Sequence, residues 1–462
     1  MGKRFLKQAL PVIVLLLSGP GLALAQTADG LTYQQPPAPI PDILDTRPTP
    51  LPSLSPDRGT LALFERSNLP SIAELAEPML RLAGYRINPR NNGPANSRVT
   101  WLTGLSFQPV AGGAARPVIL PDGARFTSPA WSPDGRAVAL LIDQPTGLEL
   151  WVADVASARA RRLTGPRVNA TTGSGLTWLP DSSGLVVETV PAGRGAAPDV
   201  SRPPSGPTVE ESMARAAPVR TYQDLLANAG DEALFDHYFT SQLVHVPLQG
   251  AVRTIGAPGV ILGASVSPDG RYLLQTVARR PYSYVVPAAL FPADVVVTDL
   301  NGRIVHRVAD LPLRDTIPSP FDAVATGPRS VQWRADAPAT LAWAEAQDGG
   351  DPRTAAEVRD RVFTLAAPFT TPPVPLIDLA ERYAGITWGR EDVALVYSRW
   401  FNTRHETRHL VDPSRPGQGR VLVERNYQDR YNDPGAAATE PNAAGRPVIQ
   451  FTGDGAKILI EG

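Results

Sequence analysis

The chain contains no cysteine. That absence excludes disulfides, thiolate metal sites, a cysteine nucleophile and a lipid-bearing cysteine. Charge of one sign is lacking as well: 44 Lys plus Arg stand against 45 Asp plus Glu, and a net charge of −1 supplies no field to recruit nucleic acid or a membrane surface. Beyond the N-terminus no segment approaches the ~18 consecutive apolar residues that a membrane-spanning helix needs. Histidine is scarce, with five copies at His237, His245, His306, His405 and His409.

What is present begins with Lys3 and Arg4, an apolar run over residues 9–17, and Ala23-Leu24-Ala25 before Gln26. A short cationic start, an apolar stretch too short to span a bilayer and an Ala-x-Ala ending describe a cleavable signal peptide over residues 1–25. The mature protein is therefore expected in the periplasm or outside the cell, free of the membrane once processed. The 49 Pro and 39 Gly are the other excess, and much of the proline sits at turns between short apolar runs. That punctuation belongs to an all-β protein.

A strand-turn-strand unit recurs. It reads Leu54-Ser55-Pro56-Asp57-Arg58-Gly59, Trp131-Ser132-Pro133-Asp134-Gly135-Arg136, Trp178-Leu179-Pro180-Asp181-Ser182-Ser183-Gly184 and Val266-Ser267-Pro268-Asp269-Gly270-Arg271, each followed by an apolar strand. Weaker copies stand at Trp333-Arg334-Ala335-Asp336, Trp388-Gly389-Arg390-Glu391-Asp392 and Phe451-Thr452-Gly453-Asp454-Gly455, making seven. Proline presets φ, Asp accepts hydrogen bonds from nearby backbone, and Gly takes the left-handed conformation that reverses the chain. The aromatic or apolar residue ahead of each turn packs between neighbouring sheets, and a second strand follows each copy. Four short strands per unit describe a β-propeller blade, so the predicted fold class is an all-β propeller with short helical insertions. Spacing between the Asp positions runs from 47 residues (Asp134 to Asp181) to 88 (Asp181 to Asp269), which implies loops inserted between strands. One insertion, residues 193–217, is rich in Ala, Gly and Pro. It leads into residues 221–239, predicted as one or two short helices, and residues 71–84 also carry helical apolar spacing.

The segments between the turns are more specific than the turns. Pro36-Pro37-Ala38-Pro39-Ile40-Pro41-Asp42-Ile43-Leu44-Asp45 resembles the start of the propeller in bacterial peptidases of the prolyl oligopeptidase family. Tyr222-Gln223-Asp224-Leu225-Leu226, Asp231-Glu232-Ala233-Leu234-Phe235, Arg280-Pro281-Tyr282-Ser283-Tyr284 and residues 426–435 resemble the branch that includes the chloroplast glutamyl endopeptidase. The resemblance covers nearly the whole mature chain and implies a two-domain serine peptidase, a propeller followed by an α/β-hydrolase domain. On this reading residues 26–52 are a Pro-rich lead-in, residues 53–462 an incomplete propeller from a parent of seven or eight blades, and the hydrolase domain is absent.

The residues agree with that absence. No Gly-x-Ser-x-Gly elbow occurs, the nearest imitation being Gly263-Ala264-Ser265-Val266-Ser267, and no histidine follows a serine elbow and an acid in hydrolase order. The catalytic set in this chain is accordingly expected to be empty, with no cofactor and no activity alone. His405-Glu406-Thr407-Arg408-His409 matches the zinc-protease string, in which a helix would place both histidines on one face with Glu406 as base. The preceding residues 393–400 read as a strand, Pro413 leaves little room for a helix, and Arg404 and Arg408 would crowd a cation. The string is therefore expected to be a hairpin with charged tips, and His405, Glu406 and His409 no metal site.

In the resembled family the propeller covers the hydrolase site and restricts access to peptides, so the implied partners are a peptide substrate and a hydrolase domain. Preference for glutamate would call for a cation, best an arginine. Candidate substrate contacts are Arg279, Arg280, Tyr282, Arg399 and Arg404, each arginine having an alternative role in a surface or inter-blade ion pair. Leu290 stands before Phe291-Pro292 where the family pattern often has a basic residue, a departure that weakens the case for glutamate. The competing reading is a free-standing periplasmic propeller that binds proteins or peptides.

Overall fold

A computed structural model describes residues 36–95, 101–200 and 220–462, so the predicted signal peptide and most of the Ala/Gly/Pro-rich insertion lie outside the described residues. The chain divides into two compact units, residues 1–46 and 47–462. The described part of the first carries one short helix, α1 (Ile40–Leu44).

The second unit is a succession of four-stranded antiparallel sheets. Blade 1 starts with β1 (Leu51–Leu54) and β2 (Thr60–Arg66), then leaves the sheet for α2 (Ile72–Leu75) and a small sheet of β3 (Leu80–Leu82), β4 (Tyr85–Asn88) and β5 (Gly93–Pro94). It resumes with β6 (Leu102–Pro109) and β7 (Arg116–Pro117). Blade 2 is β8 (Phe126–Trp131), β9 (Ala137–Gln144), β10 (Gly147–Asp154) and β11 (Arg159–Arg162). Blade 3 runs β12 (Leu176–Trp178), β13 (Gly184–Thr189), then α3 (Ala229–Phe239) and β14 (Thr240–Pro247). Its outer edge is the first half of the 14-residue β15 (Arg253–Val266), whose second half becomes the inner strand of blade 4. Blade 4 continues with β16 (Tyr272–Ala278), β17 (Ala293–Asp299) and β18 (Ile304–Leu311). Blade 5 is β19 (Arg329–Trp333), β20 (Thr340–Ala346), β21 (Asp360–Ala366) and β22 (Val374–Leu379). Blade 6 is β23 (Arg382–Arg390), β24 (Val393–Trp400), β25 (His405–Val411) and β26 (Gly419–Asn426). Two small ladders follow, β27 (Ala436–Ala437) with β30 (Ile460–Glu461), and β28 (Thr439–Pro441) with β29 (Pro447–Ile449).

Each complete blade contains one copy of the repeated turn, placed between its first and second strands. The Ser hydroxyl donates to the Asp carboxylate and accepts a backbone N–H five residues after the Ser, as in Ser132 to Asp134 with Ala137 N–H at 3.0 Å. Asp then accepts the N–H two residues on, here Arg136 at 3.1 Å. The same closed set recurs at Ser55 and Asp57 and at Ser267 and Asp269, with Thr452 and Asp454 repeating it in the seventh copy. The serine is thus as necessary as the Pro-Asp-Gly, because it closes the hairpin's inner ring of donors.

The tryptophan ahead of the turn links blades. Trp131 Nε1 donates to Ser53 Oγ, Trp178 Nε1 to Ala130 O and Trp333 Nε1 to Ser265 O, each at 3.0–3.1 Å and each to the first strand of the preceding blade. Apolar contacts join the blades as well: Leu141, Leu150 and Val152 meet Leu185, Val187 and Val246 between blades 2 and 3, and Leu274, Val297 and Leu311 meet Trp333, Leu341 and Phe369 between blades 4 and 5. This is the all-β propeller predicted from the repeat.

Two helix expectations resolve differently. Residues 221–239 yield one helix, α3, because Asn228 caps it by accepting the Asp231 N–H at 3.0 Å. Residues 71–84 are helical only over Ile72–Leu75. A Ser71–Glu74 capping box starts that turn, but Pro78 cannot continue it and Leu80–Leu82 enters a strand instead.

Candidate substrate-facing surface

Strand direction sorts the loops by face. The repeated turns share one face of the propeller, so the loops between second and third strands, and those between blades, share the other. Among the described residues the long insertions all leave from that second face: they join β2 to β6, β13 to β14, β16 to β17, β18 to β19 and β20 to β21. All five candidate contacts lie at its strand ends or in its loops, in two separate clusters.

The first cluster rests on α3. Arg280 pairs with Glu232 and, at 2.6 Å, with Asp236, while its guanidinium lies 4.6 Å from the Tyr282 ring centre. The Tyr282 hydroxyl donates to Asp236 and the Tyr284 hydroxyl to Glu232. Burial, reinforced by the Asp236 carboxylate, pushes the Tyr282 phenol above its ordinary range. Arg279 is held apart from this group by Asp294 at 3.3 Å and by Asp310. Both arginines therefore have their charge answered within the chain.

The second cluster sits at the tip of blade 6. Arg399 is consumed by Glu406, at 2.5 Å. Arg404, in the β24–β25 turn at φ +57°, has no carboxylate within ion-pair distance among the described residues. It donates to the Tyr427 hydroxyl at 3.2 Å and lies 3.7 Å from the Phe401 ring centre. Phe321, three-quarters exposed, stacks on Phe401 with ring centres 3.8 Å apart. Asp322 fixes this arrangement by accepting the Phe401 N–H at 3.0 Å, and burial pushes its carboxyl upward. A half-open guanidinium beside an aromatic stack can take a carboxylate or a peptide carbonyl.

The zinc-like string lies on β25, as expected of a hairpin. Four residues along a strand separate His405 from His409 by about 13 Å at ~3.3 Å per residue, and Glu406 points to the opposite face. His405 is bound on both ring nitrogens by Glu381 and Glu424, and hydrogen bonding to Glu381 leads the causes that raise its pKa. Glu406, fully buried, receives Arg399, Arg408 and Arg425. Sequence reasoning listed Arg399 and Glu406 in separate roles and missed that they are cross-strand neighbours, a pairing that only strand register reveals. It also missed Phe321 and Asp322, which stand in a segment without motif character.

No family model matches the chain. It is 38% identical over 435 residues to the probable chloroplastic glutamyl endopeptidase of Oryza sativa subsp. japonica, covering 90% of this chain and 46% of that protein. To the probable chloroplastic glutamyl endopeptidase of Arabidopsis thaliana it is 38% identical over 458 residues, covering 95% and 47%. Among solved structures, a prolyl endopeptidase aligns with a TM-score of 0.42 at 12% identity, over 82% of this chain and 44% of that one. The β-propeller domain of Myceliophteria thermophila Cps50 (Swd1) aligns at 0.35 and 8% identity, over 82% and 86%. The chain is an all-β propeller. Its sequence resembles the glutamyl-endopeptidase branch of the prolyl oligopeptidase family over 90–95% of its length, and it spans about half the length of the curated relatives it matches.

Proposed function

We propose that this chain is the gating and substrate-docking propeller of an exported serine peptidase, with peptide-bond hydrolysis carried out by the parent enzyme and cleavage after glutamate as the specificity to test. The observation that carries the reading is the 38% identity to glutamyl endopeptidases over 90% of the chain. The gathering of the long insertions on one face supports it, since that face is where a partner domain and an incoming peptide would be met. The lack of a Gly-x-Ser-x-Gly elbow in the sequence supports a nucleophile carried elsewhere in the parent enzyme.

Two measurements test it. The purified 462-residue chain should take no label from a serine-directed fluorophosphonate, while an antibody against it should detect, in cell extract, a species of about twice 49.3 kDa. A labelled chain, or a native species near 49 kDa, would sink the peptidase-half reading. The docking role makes a separate prediction at Arg404. Arg404→Ala should weaken binding of a glutamate-containing peptide about fivefold, the worth of one exposed charge-assisted hydrogen bond, and leave the glutamine version of the peptide unaffected. Isothermal calorimetry decides this, and equal losses for both peptides would remove the carboxylate role.

A further inference from the structure

Among the described residues, the buried carboxylates of this propeller are, with one exception, matched by arginine. Asp360, Asp348 and Glu406 each receive two or more guanidinium groups. Glu188 is the exception. It lies near the end of β13, opposite Leu243 of β14, and is only 9% exposed. Its Oε2 has no hydrogen-bond partner among the described residues, and the buried Ser241 hydroxyl close by is also unpartnered. A carboxylate taken out of water without a cation costs several kcal/mol.

What Glu188 faces is a cavity of about 160 Å³ between blades 3 and 4. Gly175 and Thr177 line it from the inner edge of blade 3, Leu262 and Gly263 from the inner strand of blade 4, and Leu243 from β14. Among the described residues no lysine, arginine or histidine lines it. The register of β15 against β16 shifts between Ile261 and Gly263, and a side chain begun at Gly263 would meet nothing within 4 Å. The bulge and the missing side chain keep the space open beside the acid.

We infer that this cavity is a binding site for a primary alkylammonium group, the chemistry of a lysine side chain. Glu188, which lines it, supplies the counter-charge, and Leu243, Leu262 and Val186 an apolar wall for a methylene stem. The volume suits a chain of about five heavy atoms, at roughly 30 Å³ for each water-sized group. The site stands whether or not the peptidase reading holds, because it concerns binding by this chain alone.

Burial pushes Glu188 up to about 7, with the Ser241 hydroxyl pulling the other way. The other titratable group whose charge is felt across this site is the Tyr85 phenol, which burial holds above its ordinary value and therefore neutral below pH ~9. An ammonium of pKa ~10.4 stays charged throughout, so affinity should rise from pH ~5.5 to ~8 as Glu188 loses its proton.

The test is calorimetric or saturation-transfer titration of the intact chain with n-butylammonium, against n-butanol as the neutral control. Nα-acetyl-lysine methylamide and alanine methylamide then separate a side-chain amine from a peptide N-terminus. Butylammonium and the lysine derivative should bind, more tightly at pH 8 than at 5.5. Glu188→Gln should weaken both about tenfold or more, and Gly263→Leu, which fills the cavity and leaves the acid in place, should abolish binding. Unfolding midpoints of both variants report that the blade is intact, and either variant alone decides the question if the other fails to fold. Binding of alanine methylamide alone would overturn the lysine assignment. Absence of amine binding, equal affinity in Glu188→Gln, or tighter binding at pH 5.5 would overturn the site.

Discussion

Replacing Arg382 with alanine is expected to destabilise the propeller by about 3–5 kcal/mol, the cost of leaving buried charges without their partner. Arg382 opens the inner strand of blade 6 and is 5% exposed. Its guanidinium reaches Asp348 at 2.7 Å, Asp360 at 3.0 Å, the Arg359 carbonyl at 3.0 Å and the Asp322 carbonyl at 2.7 Å. Both carboxylates belong to blade 5, at or beside its second and third strands, so one side chain ties two sheets and the substrate-facing loop at 312–328. Burial would raise the Asp348 carboxyl, but Arg382 and Arg359 together hold it below its ordinary value. Urea unfolding measures the loss. A control separates charge from packing: Arg382→Met combined with Asp348→Asn and Asp360→Asn should recover part of the stability, since the two fully buried carboxylates are then neutral, and only part, since Arg359 and Arg329 lose their own carboxylate partners. If the single and triple variants unfold together, the clamp acts by shape and the electrostatic account fails. Loss of the clamp should also free Asp322 and hence Phe401, so peptide binding at Arg404 should weaken in the same variant below its unfolding midpoint.

The repeat was legible because it is local. Ser132, Pro133, Asp134 and Gly135 make the turn from within six residues, and no distant group is needed to recognise it. The Trp178 bond to Ala130 was half legible: an aromatic packing between sheets could be expected, but its hydrogen bond depends on the neighbouring blade's register. Residues 71–84 were misread because apolar spacing says nothing of Pro78 breaking a helix after a single turn. The candidate surface was legible only as residue types. Arg279 and Arg280 read in the sequence as either substrate contacts or ion-pair members, and what decides between the two, their partners Asp310, Glu232 and Asp236, lies 31 to 48 residues away on other elements. Arg404 stays without a carboxylate partner among the described residues for a reason no motif encodes: it occupies a tight turn whose neighbours are Phe401 and Tyr427. Glu188 was silent altogether, since a single Glu in an apolar strand carries no spacing signal, and its meaning comes from the arginine it lacks.

Glu406→Gln is the sharpest test of the string that most invites a metal. In the structure its carboxylate is the hub of a ladder across three strands: Arg399 of β24 and Arg425 of β26 are its register partners, and Arg408 lies two residues along the same face. Arg408 and Arg425 also share Asp433, at 3.2 and 2.8 Å, which draws residues 426–435 against blade 6. Burial would raise the Glu406 carboxyl, and Arg399 and Arg408 bring it below its ordinary value, so it is ionised at neutral pH. Neutralising it leaves Arg408 and Arg425, 10% and 8% exposed at their side chains, facing an amide that can accept from only one oxygen. The expected loss is about 3 kcal/mol, read by urea unfolding, with the hub's geometry otherwise retained by an isosteric side chain. A chelator should leave the wild-type unfolding midpoint unchanged, because His405 and His409 are too far apart along β25 to share an ion and Glu406 faces away from both. A zinc site would reverse the pattern, with chelation lowering the midpoint and zinc restoring it. An unchanged midpoint in Glu406→Gln would instead show that the three arginines are content with solvent, and that blade 6 is held by its apolar face against blade 5.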